Sequence, residues 1–139
     1  MKHRNKGFTL IELLIVMVII GVLATLGLVA YTQSLQNARN ARRVASLNSI
    51  QAAFEQYYTA NGTYAGCTTM DTELQGGVIP DDPSGGNFAT ESCGAASYCF
   101  CAAMEPASTS VRGGNSSGNN CSSWTNNGRG THYCVTNRQ

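Results

Sequence analysis

The sequence predicts an α+β protein. A long amino-terminal helix, apolar in its first half and amphipathic in its second, packs on a small antiparallel sheet with disulfide-bonded loops. Three observations carry that expectation. An almost unbroken apolar run extends from Phe8 to Tyr31. Beyond it, Val44, Leu47, Ile50, Phe54, Tyr57 and Tyr58 recur at intervals of three or four, which puts them on one stripe of a helix. All six cysteines, Cys67, Cys93, Cys99, Cys101, Cys121 and Cys134, lie past that helix.

The apolar run decides the compartment. As a helix it would measure about 36 Å at ~1.5 Å per residue, enough to cross a hydrocarbon layer of ~30 Å with some tilt. A secretory signal would be shorter and would end in a small-residue cleavage site, which is missing here. Lys2, His3, Arg4 and Lys6 precede the run with no acid among them. Such a flank stays cytoplasmic, so the carboxy-terminal part is expected outside. Glu12 is the one acid within the run. A carboxylate at mid-bilayer costs about 2.5 kcal/mol or more, so it needs a compensating partner.

Lys6 to Glu12, KGFTLIE, resembles the prepilin motif of type IV pilins and of the pseudopilins of type II secretion. The resemblance implies that a prepilin peptidase cuts between Gly7 and Phe8 and methylates the new Phe8 amine. It also implies that Glu12 pairs with the Phe8 amine of a neighbouring subunit during assembly. The chemistry agrees, since a charge among packed apolar helices requires a counter-charge.

Nine Lys and Arg face eight Asp and Glu, a net charge of +1. Loss of Lys2, Arg4 and Lys6 with the leader leaves six basic against eight acidic side chains, or −2. That balance is too weak to imply general binding to nucleic acid or anionic membranes.

The second half of the helix should carry Arg39, Arg42, Arg43, Asn48, Gln51 and Glu55 on its polar face and end at Asn61-Gly62. This two-part helix resembles the pilin fold, and NGTY at Asn61 to Tyr64 resembles the helix-to-loop junction of many pilins and major pseudopilins. Many pilins also carry a proline within the apolar half. Here Leu28-Val29-Ala30 occupies that neighbourhood, and Gly21 and Gly27 are the weak points, each costing about 1 kcal/mol relative to alanine.

After Tyr64 the chain is loop-rich, punctuated by Gly76-Gly77, Pro80-Asp81-Asp82-Pro83 and Gly85-Gly86. Residues 96–104 read as a strand and residues 112–120 as a solvated loop. Residues 122–125 and 131–136 read as two strands of a hairpin closed by NNGRG, giving three strands in all. Small exported domains use disulfides where the core is limited. The connectivity of six cysteines stays open, but Cys99 and Cys101 are expected to reach other segments rather than each other.

Catalytic signatures are missing, and His132 is the only histidine beyond the leader. No catalytic residue, cofactor or metal is therefore assigned. Asp71, Glu73, Asp81 and Asp82 match no calcium-loop spacing. Trp124, Tyr98 and Tyr133 with Arg112 and Arg129 offer a surface on which DNA bases could stack. Two arginines are thin grounds for it, and strand aromatics are more often core. Asn61, Asn115 and Asn120 head glycosylation sequons.

The expected organisation is a leader at 1–7, a membrane and assembly helix at 8–31, an amphipathic helix at 32–61 and a disulfide-rich region at 62–139. The expected function is that of a structural subunit, processed at Gly7/Phe8, which polymerises into a type IV pilus-like filament for adhesion, motility or DNA uptake. A pseudopilin of type II secretion is the alternative within the family. The rival from another class is a monomeric membrane-anchored thiol or binding module using Cys99 and Cys101. Expected partners are copies of the chain in a helical filament, prepilin peptidase, an assembly platform with minor pilins, and the inner membrane. The precursor would sit in that membrane and the product in a cell-surface filament.

Overall fold

The computed structural model describes residues 7–74, 79–106 and 109–138, with the backbone alone at Asp71, Thr72, Glu73 and Thr90. The basic flank and Gly76-Gly77 lie outside the described residues. The chain forms two units, Met1–Leu35 and Gln36–Gln139.

Helix α1 runs Leu10–Asn61 without a break at Gly21 or Gly27. In the first unit every described residue is exposed, and α1 is long and apolar enough there to cross a membrane. Large apolar side chains such as Leu10, Met17 and Val29 have no protein to cover them. Lipid or other subunits must supply that cover.

In the second unit α1 buries Asn40, Arg43, Leu47, Ile50 and Phe54, a stripe at helical spacing. Leu47, Ile50 and Phe54 form the core with Tyr64, Met70, Ile79, Phe88, Tyr98, Phe100 and Val135. Arg43 corrects the expected polar face, because it sits at the end of the buried stripe and is only 3% exposed. Its guanidinium donates to Asp82 Oδ2 at 2.7 Å, Asp82 Oδ1 at 2.9 Å and Glu105 Oε1 at 2.7 Å. Arg39 pairs with the same Glu105, and Asn40 exchanges two hydrogen bonds with the Glu105 backbone. This pairing makes burial of the charge tolerable and ties two loops to α1.

Three further polar groups of the helix, on Asn48, Gln51 and Glu55, also serve the fold. Glu55 Oε1 accepts from the Tyr98 hydroxyl at 2.9 Å and from the Arg138 N–H at 3.0 Å. Gln51 donates to the Thr136 carbonyl, and Asn48 accepts from the Tyr133 hydroxyl. Gly62 takes φ +73° after Asn61, as a left-handed helix stop requires.

A short helix α2, Cys67–Glu73, follows the junction. Strands β1 (Thr90–Cys93), β2 (Tyr98–Ala103) and β5 (His132–Thr136) form an antiparallel sheet in the order β1-β2-β5. Strands β3 (Val111–Arg112) and β4 (Arg129–Gly130) form a separate two-stranded ribbon. The three-stranded sheet is thus present, but the expected hairpin is not. Residues 122–125 form no strand: Trp124 makes only an isolated bridge to Ser116, and the third strand is β1.

Three disulfides cross-link this unit: Cys67–Cys93, Cys99–Cys121 and Cys101–Cys134. As expected, Cys99 and Cys101 reach other segments. Their sequence separations run from 22 to 33, and loops of that size are worth about 3–4 kcal/mol each on a chain-entropy account.

Candidate functional site

Two places concentrate unresolved chemistry, one in each unit. The first is the start of α1. Gly7 and Phe8 precede the helix, and Phe8 is 80% exposed. Thr9 N–H and Thr9 Oγ1 donate to Glu12 Oε2 at 2.9 and 2.8 Å, and Glu12 N–H donates back to Thr9 Oγ1 at 3.3 Å. This is a capping box, with Thr9 as cap and Glu12 in the first turn. Sequence reasoning missed it although T-x-x-E stands in the chain. Glu12 therefore holds its own helix start while one carboxylate oxygen, Oε1, stays available to a further cation.

The second place is the β3–β4 ribbon. Arg112 and Arg129 are direct cross-strand partners, so their side chains share a face. Both are exposed, and neither has an ion pair among the described residues. Like charges in that relation repel each other. With Gly113, Asn127 and Gly128 they line a cleft of about 480 Å³.

The local sequence folds this way because backbone fills the space where side chains would be. A Cβ on Gly130 would fall 2.3 Å from the Ser116 carbonyl oxygen, and one on Gly114 would fall 2.3 Å from the Gly130 oxygen. Glycine alone permits this approach. Residues 112–120 are accordingly no simple solvated loop. Ser116 is fully buried, its hydroxyl 2.9–3.1 Å from the carbonyl oxygens of Gly118, Asn120 and Ser123. Asn115 exchanges side-chain hydrogen bonds with both the N–H and carbonyl of Cys134, which pins the loop to β5.

Of the expected aromatic surface, only Trp124 qualifies, at 46% exposure. Tyr98 is 2% exposed and stacks on Phe54 with ring centroids 4.4 Å apart, so it belongs to the core. Tyr133 is half-buried and hydrogen-bonded to Asn48. Burial of His132 pushes its imidazole below the usual value and so favours its neutral form.

Among the described residues the acidic candidates form no metal-binding group. Asp82 is engaged by Arg43, Asp81 is exposed, and the side chains of Asp71 and Glu73 lie outside the described residues. The sulfurs of Cys99, Cys101 and Cys121 lie within 4.8 Å of one another, but all are held in disulfides and offer no thiolate. The same pairing leaves the rival thiol module without a reactive thiol.

Comparison with known families gives two matches. Residues 2–28 match a family model described as the prokaryotic N-terminal methylation motif. Residues 30–125 match one described as type IV minor pilin ComP, DNA uptake sequence receptor. No curated protein and no solved structure matches the chain.

Proposed function

Since the chain belongs to the type IV minor pilin family of ComP, we propose that it is a pilus subunit that binds DNA through the β3–β4 ribbon. Its structural, non-enzymatic role follows from the family. The finer reading is that Arg112 and Arg129 grip backbone phosphates while Trp124 rests against bases or sugars beside them.

One observation carries this reading: two exposed arginines, with no ion pair among the described residues, are cross-strand partners on one face of the ribbon. Phosphates of a DNA backbone are the natural counter-charge, and guanidinium is suited to them by its planar fork of donors. With a weak net charge, such a protein must rely on local charge rather than on its overall field. Trp124 supplies the π-face that sequence-tolerant contact with bases uses. Processing at Gly7/Phe8 and insertion of 8–31 into a filament core would place this surface outside the cell.

The test uses the full chain in detergent micelles and a fluorescent duplex DNA, titrated over a range of salt. The double variant Arg112→Ala/Arg129→Ala should weaken binding and flatten the log–log salt dependence by about 2, close to 0.9 for each lost phosphate contact. An unchanged slope would remove these arginines from the site. Trp124→Ala should weaken binding without changing the slope. In cells, the deletion strain should lose DNA uptake, and the double variant should fail to restore it while still reaching the pilus fraction.

A further inference from the structure

The chain contains two Asn-Gly pairs, Asn61-Gly62 and Asn127-Gly128, and the structure treats them oppositely. Asn-Gly is the dipeptide in which a backbone nitrogen most readily attacks the preceding side-chain amide, since glycine offers no steric hindrance. At the end of α1 that attack is blocked. The Gly62 N–H donates to the Tyr58 carbonyl at 2.7 Å, and the Asn61 amide donates to the Tyr57 carbonyl at 2.9 Å. Both reacting groups are tied down.

Asn127 and Gly128, in the turn before β4, are exposed just as Asn61 and Gly62 are, but no hydrogen bond holds the Gly128 N–H among the described residues. Gly128 takes φ +63°, a conformation that needs glycine. The Arg129 N–H donates to Asn127 Oδ1 at 3.0 Å. That bond folds the amide over the following backbone and draws electron density from Cγ. Arg112 and Arg129 line the same cleft as Asn127 and Gly128, and their positive field favours an ionised nitrogen there.

We propose that Asn127 is a self-modification site, whose conversion to aspartate or isoaspartate weakens the anion-binding cleft as the protein ages. A solvent base removes the Gly128 amide proton, and the nitrogen forms a bond to Asn127 Cγ. The Cγ–Nδ2 bond breaks and ammonia leaves, giving a succinimide. One water then opens either carbonyl of that ring, yielding aspartate or isoaspartate. One water enters, one ammonia departs, and one negative charge appears between two arginines. The effect on DNA rests on the reading of this cleft as the DNA site; the conversion itself does not.

The experiment incubates the folded, disulfide-bonded full chain in mildly alkaline buffer at body temperature and follows both sites by peptide mapping. A mass gain of about 1 Da marks conversion of an amide of this thermolabile type. Asn127 should convert about tenfold faster than Asn61 or more, the size set by one net hydrogen bond that must break first. In reduced, unfolded chain the two rates should converge. Equal rates in the folded protein would overturn the site. The variant Asn127→Asp should then bind duplex DNA more weakly, with the salt slope reduced by about 1. If Asn127→Asp binds like wild type while Arg112→Ala/Arg129→Ala does not, the switch is wrong and the DNA site stands. If wild type fails to bind DNA at all, the DNA reading falls, and with it the switch, whatever the mass data say of the site.

Discussion

Arg43 shows how one side chain can fix several parts of a small domain. It is held between Asp82 and Glu105, while Arg39 closes on Glu105 from the helix turn before it. Hydrogen bonding by Arg39, opposed by burial and reinforced by Arg43, pulls the Glu105 carboxyl from an ordinary 4.5 to about 2. For Asp82, burial opposes ionisation, but the bonds from Arg43 and the Ser84 N–H outweigh it and the value falls below normal. A carboxylate depressed by folding stabilises the native state fully above its ordinary value, and that stabilisation is lost as the pH falls toward the folded value. The urea midpoint should therefore drop as the pH is lowered from about 4.5 toward 2. Glu105→Gln should destabilise at neutral pH by about 1.5–3 kcal/mol, the worth of a hydrogen bond to a charged group. The variant should also show a shallower acid slope, and an identical slope in both proteins would contradict the assignment. None of this was legible in the sequence. Arg43 stands at core spacing with Leu47 and Ile50, but its partners lie 39 and 62 residues away, and no local pattern reports them.

At the scale of elements, legibility followed length. Helix α1 was readable from its long apolar stripe, β2 from a run of several residues rich in Cys and aromatics, and β5 from the run that follows a turn signal. Strands β3 and β4 have two residues each, too few for any periodic signal. The NNGRG turn was recognised, yet it feeds β4 onto β3 rather than joining two neighbouring strands. What fixes that pairing is backbone proximity, and glycine advertises it only weakly. Gly130→Ala should therefore be disproportionately harmful, since its Cβ meets the Ser116 backbone at 2.3 Å, which cannot yield as a flexible side chain would. A loss of about 1–3 kcal/mol is expected, as for other overpacked sites. Hydrogen exchange at the Asn115 and Ser116 amides, which donate to the His132 carbonyl, should accelerate. Gly118→Ala is the matched control: its nearest contact would be the Asn120 side chain at 3.7 Å, an ordinary distance. If both variants behave alike, close approach is not what places the ribbon. DNA affinity should fall with Gly130→Ala and not with Gly118→Ala.

For the whole molecule, the two units divide the work. Residues 36–139 carry a closed core and three disulfides, whereas the described part of the first unit leaves every residue exposed. The apolar helix is completed only by lipid or by other subunits, and Glu12 is where those two environments differ most. In lipid its capping box satisfies part of the carboxylate. In a filament, a neighbour's Phe8 amine would supply the counter-charge that capping does not. These two roles have different chemical requirements, so substitution can separate them. A capping box accepts glutamine in place of glutamate, whereas an ion pair does not. Glu12→Gln should keep the helix start, membrane insertion and cleavage at Gly7/Phe8, with a methylated Phe8 found by amino-terminal mass analysis. It should nonetheless fail to enter sheared pili, while Glu12→Ala loses cap and assembly together. If Glu12→Gln enters pili as wild type does and only Glu12→Ala fails, the carboxylate acts as a helix cap alone, and register in the filament must be set by another contact.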